Sequence, residues 1–99
     1  MTPKYLMLVS LAGCTSMDVT SLLEKMRAQV TEFRIEVEGN LTEEHPKYYD
    51  KVKMIYKFKG EDLQKDKIEK AVKLSVDRYC GVYEMFRQFA DVSYEIQYN

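Results

Sequence analysis

Two cysteines, Cys14 and Cys80, carry most of the reactive chemistry this chain can offer. Cys14 falls within a long apolar segment. On a helical wheel it stands about 120° from the main apolar stripe, sharing its face with Met7, Ser10, Leu11, Met17, Asp18 and Ser21. That mixed face is what the lining of a pocket requires. Cys80 immediately precedes Gly81 and the expected start of a helix, where the partial positive charge of the N-terminus favours a thiolate. The competing reading is that both thiols are small buried hydrophobes, the commonest fate of free cysteines. Asp18, one turn beyond Cys14, can orient a group there or pair with a neighbouring hydroxyl or lysine.

Other chemistry is thinner. His45, before Pro46 in a polar stretch, reads as a solvated turn residue rather than an acid or base. Lys51, Lys53, Lys57 and Lys59 interleave with Tyr56 and Phe58 like a basic aromatic surface for single-stranded nucleic acid. Their strict alternation instead puts the lysines in solvent and the rings inside. Two cysteines and one histidine make no Cys/His zinc cluster, and no metal-ligand spacing, phosphate loop or nucleophile elbow occurs, so no cofactor is expected. With 15 Lys and Arg against 16 Asp and Glu, the net charge of −1 gives no broad positive field for nucleic acid or anionic membrane. Hydrophobic residues at 45% and charged residues at 31% suit a globular chain, and 99 residues make one domain, 1–99. No apolar run approaches the roughly 20 residues of a membrane span.

The elements that must position the cysteines follow from periodicity. Lys4, an apolar run and Leu11-Ala12-Gly13-Cys14 have the look of a lipoprotein signal, with Cys14 as the lipidated residue. Yet Leu8, Ala12, Val19, Leu22 and Met26 keep helical spacing straight through that point, which favours a helix. Thr2-Pro3 can open it, and it is expected to run to about Gln29. Residues 31–38 alternate, with Phe33, Ile35 and Val37 on one face, and predict a strand. A connection through His45-Pro46 leads to a second strand with Val52, Met54, Tyr56 and Phe58 on one side, and the two should pair antiparallel. Ile68, Ala71, Val72 and Ser75 then keep helical spacing between Glu61 and about Tyr79. Val82, Met85, Phe86 and Phe89 mark a third helix, and Val92, Tyr94, Ile96 and Tyr98 a last strand. The order α-β-β-α-α-β predicts an α+β fold with a mainly antiparallel sheet. The first helix, apolar almost all round between Leu6 and Ala12, needs more cover than a chain this size supplies, which argues for an intimate homodimer.

Three stretches occur in order: Leu11-Ala12-Gly13-Cys14-Thr15-Ser16-Met17-Asp18-Val19, Glu44-His45-Pro46-Lys47, and Arg78-Tyr79-Cys80-Gly81-Val82. Together they resemble the OsmC/Ohr family of thiol peroxidases, closest to its OsmC-like branch, over nearly the whole chain. The resemblance implies a cytoplasmic, intertwined α+β dimer with an antiparallel sheet packed on long central helices. It implies that Cys14 is the peroxidatic thiol, oxidised by an organic hydroperoxide to a sulfenic acid, and that Cys80 resolves it as a disulfide. A dithiol or lipoylated-protein reductant would restore both thiols. The family also places an arginine, on strands ahead of this helix, beside the reactive thiolate. Ohr-type enzymes add a glutamate in an Asn-Pro-Glu stretch to orient it; the matching stretch here is Thr2-Pro3-Lys4-Tyr5, with Lys4 in the glutamate's place. Arg27, Arg78 and Arg87 are the remaining candidates for that cation. Without one, a mid-helix thiol keeps a pKa of about 8.5 or above. A second reading of the same residues is a non-catalytic OsmC-fold dimer that binds a small apolar ligand or senses oxidants.

Overall fold

The computed structural model describes residues 3–61 and 63–98. Helix α1 (Pro3–Lys25) is followed by strands β1 (Glu32–Leu41) and β2 (Tyr49–Lys59). Helix α2 (Lys65–Leu74) runs into a π-helical turn, Ser75–Tyr79, then come helix α3 (Gly81–Arg87) and strand β3 (Asp91–Tyr98). The α-β-β-α-α-β order expected from periodicity is the order observed. The expected Thr2 cap lies outside the described residues.

Helix α1 stops short of Gln29 because Arg27 turns the backbone left-handed, at φ 57°. The Ala28 N–H reaches back to the Leu23 carbonyl at 3.0 Å and the Arg27 N–H to that of Glu24 at 3.1 Å, the paired bonds of a Schellman cap. Lys67 Nζ adds a bond to the Met26 carbonyl at 2.9 Å, tying this end of α1 to α2. The buried stripe of α1 is Leu8, Leu11, Thr15, Val19 and Leu23, while Ala12, Leu22 and Met26 are only half-buried. The helix is therefore rotated relative to the stripe expected from hydrophobicity alone. Thr15 stands on that buried stripe, wholly enclosed, with two other hydroxyls inside the protein bonded to it. Contrary to the expectation that no apolar run approaches a membrane span, the helix Lys4–Lys25 holds an 18-residue stretch of mean hydropathy 1.5, long and apolar enough to cross a membrane by length and composition alone.

Strand β2 is the centre of a three-stranded sheet, β1-β2-β3. Its alternation holds except at Ile55: Val52, Met54, Tyr56 and Phe58 are buried and Lys51, Lys53 and Lys59 exposed, but Ile55, on the lysine side, is buried too. Lys57 pairs with Glu36 across the strands at 3.0 Å and Lys53 with Glu95 at 3.6 Å, so these lysines form a solvated, self-neutralised face. Strands β1 and β2 are antiparallel, with Phe33 opposite Phe58 and Ile35 opposite Tyr56. Gly39 leaves room for a ring: a Cβ there would lie 2.8 Å from Cδ1 of Tyr49.

Strand β3 departs from the antiparallel expectation. It joins β2 in parallel, with Lys51 opposite Asp91 and Phe58 opposite Tyr98. Alternation within a strand carries no information on its direction. Here the helices between β2 and β3 return the chain to the start of β2, as a parallel pair requires. The sheet is mixed, with α1 and the later helices covering its apolar side.

Candidate functional site

The helices meet over a small cluster of reactive side chains. Cys14 and Asp18 lie one turn apart on α1, and Cys80 sits at the junction of the π-helical turn and α3. One ligand atom from each of the three, two Sγ and a carboxylate oxygen, lies within 4.8 Å of the other two. The thiols that were distant in sequence are thus adjacent, with a carboxylate beside them. Both cysteines are free. Cys80 is buried, whereas Cys14 is half-buried.

The π-helical turn places Cys80. Its N–H bonds the Ser75 carbonyl at 2.8 Å, the wider spacing that admits one extra residue to the turn; such turns often occur at functional sites. Cys80 then caps α3 in an extended conformation (φ −84°, ψ 100°), and its Sγ accepts the Tyr83 N–H at 3.4 Å.

A chain of buried hydroxyls holds the other side. Thr15 Oγ1 lies 2.7 Å from Tyr56 Oη and 2.9 Å from Ser75 Oγ. This joins α1, the central strand and the π-helical turn at the residue next to Cys14. Sequence reasoning missed all three as site-forming residues. The available signal was a threonine inside an apolar helix and a serine at a helical core spacing.

Electrostatics run against thiolate formation at Cys80. Burial, then the neighbouring Cys14 thiol, push its pKa up to about 12, and the Tyr83 N–H opposes them only in part. The expected benefit of the helix N-terminus is therefore overturned: α3 contributes one weak donor to a thiol already removed from water. Burial also raises Asp18, whose Oδ2 is shielded and has no hydrogen-bond partner among the described residues. None of the principal influences on Asp18 or Cys80 is a cation. Lys4 and Arg27 lie roughly 15 and 20 Å along α1 from Cys14 at 1.5 Å per residue. Arg87 pairs with Glu84 at 3.3 Å, and Arg78 is exposed. His45 is exposed in the β1–β2 connection, as a turn residue would be.

The family profile described as OsmC-like protein matches residues 1–95. The chain belongs to the OsmC-like family. Among relatives of this OsmC-like protein, Protein YhfA of Escherichia coli strain K12 is 29% identical over 97 residues, covering 96% of this chain and 72% of YhfA. A hypothetical protein from Aquifex aeolicus VF5, known by crystal structure, superposes with a TM-score of 0.86 at 33% identity, over 100% of this chain and 76% of that one. The organic hydroperoxide resistance protein OhrB of Bacillus subtilis shares the fold, with a TM-score of 0.76 at 17% identity, over 98% of this chain and 70% of OhrB. The OsmC-like α+β fold inferred from the three ordered stretches is the fold found.

Proposed function

We propose that this OsmC-like chain is a single-domain, cytoplasmic thiol peroxidase acting on organic hydroperoxides, with Cys14 as nucleophile and Cys80 as resolving thiol. The observation that carries the reading is the convergence of the two Sγ atoms to within 4.8 Å, with Cys14 the more accessible. The family's hydroperoxide resistance members, such as OhrB, add support.

The Cys14 thiolate attacks one oxygen of ROOH and the O–O bond breaks. The alkoxide leaves, takes up the proton lost by Cys14 and departs as ROH, leaving Cys14 as a sulfenic acid. The Cys80 sulfur then attacks the Cys14 sulfur, and its proton leaves with the sulfenic hydroxyl as water. The sum is two thiols plus ROOH giving a disulfide, ROH and H₂O. Closing the bond brings the sulfurs from at most 4.8 Å to about 2.05 Å, a movement within reach of side-chain rotation and a small shift of the π-helical turn. A dithiol reductant then returns both thiols.

The reading includes a homodimer. Leu6, Met7 and Val9 on α1 are exposed and Met17 is 76% exposed, an apolar face of the kind a partner copy covers.

A second reading, oxidant sensing or ligand binding without turnover, draws on one observation: the Cys80 thiol is pushed up to about 12 with no cation among its principal influences. Intact mass after one equivalent of cumene hydroperoxide separates the two. For a peroxidase, wild type loses two hydrogens rapidly, Cys80→Ser gains one oxygen, and Cys14→Ser stays unmodified. Oxidation of both thiols no faster than free cysteine removes the peroxidase reading.

A further inference from the structure

Asp18 has no role in the thiol–disulfide cycle, yet its carboxylate shares a site with both sulfurs. We propose that, in the reduced protein, Cys14, Asp18 and Cys80 form a three-ligand site for one thiophilic divalent cation of the zinc type. This goes beyond the peroxidase reading and does not depend on it.

The geometry suits that ion. Tetrahedral zinc takes sulfur at about 2.3 Å and carboxylate oxygen at about 2.0–2.2 Å, so ligand atoms sit about 3.5–3.8 Å apart. The three atoms here already lie within 4.8 Å of one another, and drawing them onto a common centre takes about 1 Å of adjustment. Two ligands come from one face of α1 at i and i+4, a spacing that presents both side chains to the same point. The third comes from the end of the π-helical turn, which the Thr15–Ser75 hydrogen bond fixes against α1. The Asp18 Oδ2 atom is shielded and, among the described residues, has no donor to accept from.

Chemistry favours zinc over harder ions. Two sulfurs exclude magnesium and calcium, which take oxygen ligands, while a mixed S₂O set with a fourth position for water is ordinary for zinc. On binding, two thiol protons leave to solvent and the cation takes two thiolates and a carboxylate. It thereby supplies the positive charge that the principal influences on this site lack. Metal and disulfide exclude one another, since each uses both sulfurs.

Cobalt(II) tests the site because thiolate ligation gives it a near-ultraviolet charge-transfer band and tetrahedral geometry gives it strong visible bands. Reduced, metal-free protein is titrated anaerobically with cobalt(II) alone, then with zinc. Wild type should bind one cobalt with both features and release it to one equivalent of zinc. Asp18→Asn, nearly the same in shape, should keep the charge-transfer band and bind at least about tenfold more weakly. Cys14→Ser and Cys80→Ser should each reduce the band, with circular dichroism confirming that each variant is folded. A reduced wild type with no charge-transfer band overturns the proposal, as does Asp18→Asn with wild-type affinity. The peroxide mass experiment reads independently: a chain inert to peroxide that binds cobalt loses the peroxidase reading and keeps the metal site, and the converse result does the reverse.

Discussion

Replacing Thr15 by valine tests whether the buried hydroxyl chain holds the site together. The change keeps the shape and removes one oxygen, leaving Tyr56 Oη and Ser75 Oγ without the partner each has at 2.7 and 2.9 Å. A buried polar group left unsatisfied costs about 1–3 kcal/mol. Ser75 can turn its hydroxyl toward a carbonyl of the preceding turn, and Tyr56 keeps a weak contact to Met54 Sδ at 3.8 Å, so both penalties fall at the low end. The expected loss is about 2–3 kcal/mol. For a chain of this size that lowers Tm by roughly 8–24 °C. Thr15→Ser keeps the hydroxyl and forfeits one buried methyl, about 1 kcal/mol. Thermal melts of the three proteins at one fixed concentration and under reducing agent give the comparison. A Thr15→Val protein as stable as Thr15→Ser would refute the argument that the hydroxyl, rather than the volume, is what position 15 supplies.

Gly39→Ala drives a methyl to 2.8–2.9 Å from the Tyr49 ring and 3.1 Å from Leu8, so urea unfolding should show a loss of about 1–3 kcal/mol. Arg27→Gly relieves the left-handed backbone at φ 57° and should raise stability by up to about 1 kcal/mol in the same assay, with the Schellman cap retained. Burial raises Tyr56 above the ordinary tyrosine range, and Tyr83, Tyr94 and Tyr98 are raised likewise. The unfolded chain therefore loses these protons first, so stability is whole below about pH 10 and falls as pH rises above it. Urea midpoints at pH 8, 10 and 11 should show that fall, and Tyr56→Phe should flatten it; an unchanged slope would count against burial as its cause. Lys57→Ala, breaking the half-buried 3.0 Å pair with Glu36 at the sheet's solvent face, should alter stability by no more than about 1 kcal/mol and lose most of that effect in high salt.

Much of the scaffold was written in local periodicity. The alternation of Phe33, Ile35 and Val37, and of Val52 through Phe58, specifies strands whose one face must be buried, and the lysines between them fall in solvent for the same reason. The helical spacing of Ile68, Ala71 and Val72 specifies α2 and its buried side. Cys14 and Cys80 were identifiable by type, and the order of the three stretches around them pointed to the OsmC-like fold. What local pattern does not contain is direction and proximity. Strand β3 alternates as an antiparallel strand would, and only the return path through the helices makes it parallel to β2. Thr15 reads as a polar position until Tyr56 and Ser75, far along the chain, offer it partners inside. The acidity of Cys80 reversed for a similar reason: sequence shows the helix start that favours a thiolate, whereas burial, which depends on everything packed around it, decides the sign. Residue type and spacing are properties of neighbours along the chain. The meeting of Cys14, Asp18 and Cys80 within 4.8 Å is a property of how α1 and the π-helical turn pack, and only the tertiary structure decides it.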